Sequence, residues 1–254
     1  MRILITNDDG YLAPGIALLK EIAERISADV WVVAPEQEQS GSGHSLSLRT
    51  PLRMRQIAEK YYAVSGTPTD SVLVAVKALL TDRKPDLLLS GINRGHNLGE
   101  DVTYSGTVAG AMEGSLLGIT SIALSQGGKE GAIDWSAATI HGEKIIRNLL
   151  DVGWPAHSLV NVNFPECSAA DVCGVRVCPQ GRRKIGALLK QNKDPDDKPY
   201  YWIGSRRDEE GDIAHSDLSV VRDNFIAITP LSLDLTDYSC ITKFDAELTS
   251  YNLG

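Results

Sequence analysis

One pattern constrains this chain more than any other: a short apolar run, a cluster of turn residues, then apolar residues at helical spacing, repeated through the first half. Arg2 to Thr6 reads RILIT and stops at Asn7-Asp8-Asp9-Gly10, after which Ile16, Leu19, Ile22, Ala23 and Ile26 recur every third or fourth position. Recurrence of that kind marks one face of an α-helix, whereas a short unbroken apolar run fits a strand buried on both faces. Val30 to Ala34, ended by Pro35, is a second such run, and Tyr61 to Val64 a third. Thr67-Pro68-Thr69-Asp70 then reads as a helix start, with Thr67 as the cap, Pro68 at the first helical position and an acid in the first turn. That helix continues through Val72, Val76, Leu79 and Leu80. Asp86 to Ser90 and Ser121 to Leu124 are further strands, while Val108 to Leu117 and Trp135 to Leu150 are helices.

Strands alternating with helices call for a largely parallel sheet covered on both faces. The second half reads differently. Leu159 to Phe164, Val172 to Val177, Tyr200 to Ile203 and Phe225 to Thr229 are strand runs with loops between them. The polar stretch Lys190 to Lys198 (KQNKDPDDK) reads either as the tip of a long hairpin or as a surface loop. As a hairpin, with Tyr200, Tyr201 and Trp202 beside it, it would make a subunit contact.

Composition narrows the function. At 254 residues and 43% hydrophobic content the chain can bury one large core or two smaller ones. A formal charge of −8 argues against a surface for nucleic-acid polymers, which demand basic patches. Gly181-Arg182-Arg183-Lys184 and the pair Arg206 and Arg207 read as solvated loop, with a local basic group beside a small anionic substrate left open. The 4 cysteines, Cys167, Cys173, Cys178 and Cys240, form no CxxC pair and are expected as reduced, mostly buried thiols. No apolar run approaches the roughly 20 residues that span a bilayer. MRILIT also runs straight into NDDG without a signal-peptide stretch, so a cytoplasmic protein with no membrane partner is expected.

The chemistry-bearing residues lie just beyond the carboxyl ends of strands, where ligands bind in open parallel sheets. Asp8 and Asp9 are adjacent carboxylates whose repulsion a shared cation would relieve, and hard oxygen donors suit magnesium or manganese. Asn, Asp and Gly are also ordinary turn residues. The loop Ser40-Gly41-Ser42-Gly43-His44-Ser45, after the second strand, lets backbone approach an anion and offers Ser40 as a neutral oxygen ligand. Asn93, after the strand Asp86 to Ser90, offers a carbonyl oxygen at the same edge. Tyr104-Ser105-Gly106-Thr107 precedes a helix. There, free N–H groups and the helix dipole favour an anion, and Ser105 and Thr107 can cap the helix or bind phosphate. No GxxxxGK[ST], GxGxxG or GxSxG pattern is present. His44 and His96 lie in the converging loops, where either could touch substrate or donate a proton. His141, His157 and His215 have no supporting pattern.

Through NDDG, SGSGHS, SGINRGHNLGEDVTYSGTVAGAMEG and ITPLSLDLT, the sequence resembles the SurE family, the survival-protein 5′-nucleotidases, from Met1 to about Thr236. The resemblance implies an α/β fold with a Rossmann-like, mostly parallel core over about 1–180 and 215–235. It also implies a projecting β-hairpin over about 181–214 and a C-terminal assembly segment over about 236–254, all in a single domain that forms a dimer or tetramer. It further implies hydrolysis of nucleoside monophosphates, with some relatives accepting 3′-nucleotides or short polyphosphate, and one divalent metal ion per subunit, Mg2+ or Mn2+. Carried over by position, the metal ligands fall on Asp8, Asp9, Ser40 and Asn93, and the phosphate contacts on Asn97, Ser105, Gly106 and Thr107. His96 stands at a variable family position, and Ser47 where threonine is common. The expected mechanism has the metal bind a phosphate oxygen and a water that Asp8 or Asp9 orients or deprotonates. A covalent aspartyl-phosphate route is the rival, but NDDGY does not fit DxDx[TV]. A binding module without turnover is the rival from another class. Against that one, the oxygen cluster favours catalysis, because a pure binding site would use Arg or Lys.

Overall fold

The structure is a computed structural model that describes residues 1–128, 132–186, 188–204, 207–209 and 213–248. β1 (Arg2–Thr6) leads into α1 (Pro14–Ile26), where Pro14 sets the first turn and Ile16, Leu19, Ile22 and Ala23 are buried. β2 (Asp29–Pro35) follows, then β3 (Met54–Ala58) and β4 (Tyr61–Val64). β3 went unread because MRQIA carries no apolar alternation: every residue of this edge strand is exposed. α2 (Pro68–Val74) begins as its sequence indicates. Thr67 Oγ1 accepts the Asp70 N–H at 3.1 Å, and the Asp70 carboxylate accepts the Thr67 N–H at 2.9 Å.

β5 (Leu87–Arg94) runs four residues past the expected end at Ser90, then come α3 (Gly106–Leu116), β6 (Thr120–Gln126), α4 (Ser136–Val152) and β7 (Ser158–Phe164). β8 (Gly174–Val177) is followed by β9 (Arg183–Ile185), β10 (Leu189–Lys193), β11 (Pro199–Ile203) and β12 (Arg207–Glu209). The chain closes with α5 (Asp217–Arg222), β13 (Phe225–Ser232) and α6 (Tyr238–Leu248).

A nine-stranded sheet has the order β3-β4-β2-β1-β5-β6-β7-β13-β8. Its pairs from β4 across to β7 are parallel, while β13 runs antiparallel to β7 and β3 antiparallel to β4. Successive side chains alternate between faces. Ile3, Ile5, Leu87, Leu89, Ile122 and Leu124 join one core with residues of α1 and α4, while Leu4, Val33, Leu88 and Ala123 join a second with residues of α2 and α3. Burial on both faces is why these strands read as continuous apolar runs.

Two antiparallel ladders, β9 with β12 and β10 with β11, form an arm. Lys190 to Lys193 belong to β10, so the turn is narrower than the polar stretch suggested. It closes where Asp194 N–H donates to the Lys198 carbonyl at 2.9 Å. Tyr201, Trp202 and Ile203 on the arm, and Tyr238, Ile241, Phe244 and Leu248 of α6, are exposed. Parts of the expected arm (205–206 and 210–212, hence Arg206) and the end of the expected assembly segment (249–254) lie outside the described residues. The cysteines are free thiols, but Cys178 is the buried one and Cys173 is exposed, because the others occupy loops and the terminal helix rather than the core. Among the described residues no helix is long and apolar enough to cross a membrane.

Candidate active site

The turn after β1 is closed by Asn7, whose side-chain amide donates to the Gly10 carbonyl at 2.9 Å. This leaves Asp8 pressed against the start of α3, where the Thr107 hydroxyl donates to Asp8 Oδ1. Gly106 makes the approach possible: a Cβ there would lie 2.7 Å from Asp8 Cβ and 2.9 Å from Asp8 Oδ2. Burial pushes the Asp8 carboxyl up to about 6, the Thr107 hydrogen bond pulls the other way, and the neighbouring Asp9 charge adds to the rise. Asp9 is also raised by burial. Arg94 opposes that rise, through its N–H at 3.0 Å from Asp9 Oδ2 and a guanidinium 3.9 Å from Oδ1.

The loop after β2 is tied to the same place. Gln39 N–H donates to the Asp8 carbonyl at 2.8 Å, and Gly43 N–H to the Tyr104 carbonyl at 3.1 Å. Ser40 therefore stands beside Asp8, its hydroxyl donating to Glu38 at 2.8 Å. Asn93 lies on the extension of β5, beyond a register irregularity between Ser90 and Asn93 against β6. Its side-chain nitrogen donates to the Gly95 carbonyl at 2.9 Å, which leaves Oδ1 without a partner among the described residues.

A cavity of about 400 Å³ opens here, lined by Asp8, Ser40, Asn93, Asn97 and Ser105, with Arg94, His96, Tyr104, Glu166, Arg183 and Arg207 around them. Asp9 faces an adjoining hollow with Glu38 and Arg94. Ser105 lines the cavity and caps α3, accepting the Val108 N–H at 3.0 Å. Thr107 differs from expectation: its side chain is fully buried and its hydroxyl is taken up by Asp8 rather than offered to a phosphate.

Asn97 is held by residues that sequence reasoning missed. Its N–H donates to Asn163 Oδ1 at 2.9 Å, and its carbonyl accepts from Asn161 at 2.9 Å and Asn163 at 3.1 Å. Its own side-chain nitrogen donates to Ser125 Oγ at 2.9 Å. Asn161, Asn163 and Ser125 are fully buried. The available signal was the pair of asparagines interrupting the apolar run Leu159 to Phe164, since buried amides persist only when paired.

The basic segments also correct the sequence reading. Arg183 is no solvated loop residue: its guanidinium pairs with buried Asp101, which Arg207 also approaches at 2.9 Å, and both arginines line the cavity. With Arg94 they put cations around the pocket, so a lack of Arg and Lys no longer separates catalysis from binding. The carboxylate pair does. His44 leaves the cavity and pairs with Glu113 at 3.0 Å, whereas His96 stays. Burial holds the His96 imidazole down at about 4, so the ring is neutral near pH 7 and carries no proton to give as an acid.

Among the described residues there is no cluster of three or more His, Cys, Asp or Glu able to hold a metal. The candidate set has two carboxylates, one hydroxyl and one amide oxygen, so its charge of −2 would match a single dication. Crowded carboxylates pushed up by burial, and an amide oxygen without a partner, fit a hard divalent ion.

The family described as "Survival protein SurE" matches residues 3–187. The protein named "5′-nucleotidase SurE" of Methylobacterium radiotolerans is 52% identical over 248 residues, covering 96% of this chain and 98% of its own. Its namesake from Paramagnetospirillum magneticum is 53% identical over 237 residues, covering 93% and 91%. The crystal structure of the SurE protein from Aquifex aeolicus superposes with a TM-score of 0.84 at 42% identity, covering 97% of this chain and 99% of that one.

Proposed function

Because the chain belongs to the SurE survival-protein family, we propose that it is a 5′-nucleotidase. It hydrolyses nucleoside 5′-monophosphates to nucleoside and phosphate with one divalent cation, magnesium or manganese, held by Asp8, Asp9, Ser40 and Asn93. The observation that carries this reading is the meeting of Asp8, Ser40, Asn93, Asn97 and Ser105 in one cavity beyond the strand ends, with Asp9 fixed beside Asn93 through Arg94. The printed activity of relatives matching over nearly the whole chain supports the substrate class.

When bound, the cation would supply Lewis-acid polarisation of a phosphoryl oxygen and a water of lowered pKa. The chain's own residues do the rest. Asp8 or Asp9 takes one proton of the attacking water as its oxygen bonds to phosphorus and the P–O5′ bond breaks; that proton then passes through solvent to O5′, so the nucleoside leaves as its alcohol and the carboxylate is restored. The Ser105 hydroxyl and the Gly106 N–H at the start of α3, with the buried Asn97, hold the remaining phosphoryl oxygens in place, the Ser105 N–H being spent on the Asp101 carbonyl. Thr107 acts through Asp8, orienting its carboxylate.

The arginines around an open cavity support acceptance of 3′-nucleotides and short polyphosphate as well. The exposed aromatic residues of the arm and the apolar side chains of α6 support assembly as a dimer or tetramer, and the free thiols fit a cytoplasmic location. Phosphate release from a nucleotide panel in manganese, with and without chelator, tests the reading. Asp9→Asn should keep the fold and lose most turnover, and full activity of that variant in saturating metal would defeat the proposal.

A further inference from the structure

We propose that His96 is a specificity-determining residue whose Nδ1 accepts a hydrogen bond from a ribose hydroxyl of the bound nucleotide. The proposal rests on the nucleotidase reading and adds the group that recognises the sugar.

The ring's tautomer follows from one contact. His96 Nε2 lies 2.9 Å from the Phe164 carbonyl, which can only accept, so Nε2 carries the hydrogen. In a neutral imidazole the other nitrogen is then an acceptor, and Nδ1 has no hydrogen-bond partner among the described residues. Burial and the arginines nearby keep the ring neutral.

The ring is also seated rather than loosely placed. A Cβ at buried Gly127 would overlap it, so the position next to β6 has to be glycine for His96 to lie there. The Gly127 N–H donates to the same Phe164 carbonyl at 3.0 Å, which fixes that acceptor in turn.

Location points to the sugar. His96 lines the cavity and directly precedes Asn97, whose backbone is pinned by Asn161 and Asn163. A 5′-phosphate held beside Asn97 places its ribose as the next group into the cavity. Arg94, Arg183 and Arg207 can only donate hydrogen bonds, Asp101 is occupied by two of them, and Asp8 is assigned to the cation. A hydroxyl donor entering that space meets three uncommitted side-chain acceptors, His96 Nδ1, Asn97 Oδ1 and the carboxylate of Glu166. Only His96 is locked in one orientation by a main-chain contact.

The test compares kcat/KM for a nucleoside 5′-monophosphate with its 2′-deoxy and 3′-deoxy analogues, using the full chain in manganese. His96→Gln can keep a donor toward the Phe164 carbonyl while removing the ring acceptor. His96→Asn can place an oxygen where Nδ1 stands while losing the Phe164 bond. The parent should prefer the ribonucleotide over at least one deoxy analogue by about tenfold, the worth of one hydrogen bond between neutral groups. His96→Gln should reduce that preference to about twofold or less, whereas His96→Asn and Glu166→Gln should retain it. A merely structural role predicts the reverse order for the two His96 variants. The proposal is overturned if the parent shows no preference, if His96→Gln keeps it, or if Glu166→Gln abolishes it. Should His96→Asn fail to fold by its thermal midpoint, the His96→Gln ratio decides alone. Absence of phosphate release from every nucleotide by the parent would instead overturn the nucleotidase reading, and this inference with it.

Discussion

Replacing Asp8 with Asn should make the metal-free protein more stable at pH 8 while abolishing turnover. Burial lifts the folded-state carboxyl from the ordinary 3.8 to about 6, a gap of about two pH units. At about 1.4 kcal/mol per unit this amounts to about 3 kcal/mol. The sign follows from proton binding. Between pH 4 and 6 the folded state keeps a proton that the unfolded chain has lost, so stability present below the unfolded value drains away as pH rises through the folded one. Above about 6 the whole penalty stands. Asn carries no charge to desolvate, and its Oδ1 can still accept the Thr107 hydroxyl. For a chain of this length the gain should raise the thermal midpoint by about 6 °C. Calorimetry or urea denaturation in chelator at a series of pH values measures it: parent and variant should coincide near pH 3.5, below the unfolded value, and separate fully by pH 8. Added manganese should restore the parent and not the variant. A variant no more stable than the parent at pH 8 in chelator would refute the claim that burial of this carboxylate is what the cation offsets.

Further outcomes are expected from the same contacts. Asn163→Ala leaves the buried Asn97 N–H without its acceptor; it should cost about 1–3 kcal/mol by denaturation and lower kcat at least tenfold. Gly106→Ala places a methyl 2.7 Å from Asp8 Cβ and should weaken manganese binding, read by titration calorimetry, more than it lowers the thermal midpoint. Arg183→Ala leaves Asp101 with Arg207 at 2.9 Å as its remaining cation, so the loss is that of one hydrogen-bond partner and stability should fall by about 1–3 kcal/mol while KM rises more than kcat falls. Below pH 6, protonation of Asp8 should weaken manganese binding by up to about tenfold per pH unit; affinity unchanged from pH 7 to pH 5 would count against Asp8 as a ligand.

The strands around β1, β5, β6 and β7 were legible because burial on both faces leaves an unbroken apolar run, and α2 because its cap, proline and acid stand in order. β3 was not, since an exposed edge strand imposes no apolar pattern. Asp8, Asp9 and Ser40 were legible as oxygen-bearing residues after strands in a parallel sheet, a rule of topology that local sequence expresses, whereas Asn93 proved to lie within β5 itself, still at its carboxyl end.

What the chain could not announce was which partners each group would meet. That Thr107 would spend its hydroxyl on Asp8, that His44 would turn to Glu113 and His96 to Phe164, and that Arg183 would close on Asp101 are contacts across 68 to 99 positions of sequence. Periodicity and turn chemistry act over a few residues, so the order of strands, helices and oxygen-bearing turns was written in the sequence by itself. Burial, and with it the raised pKa of Asp8 and the neutral ring of His96, exists only once distant segments exclude water together.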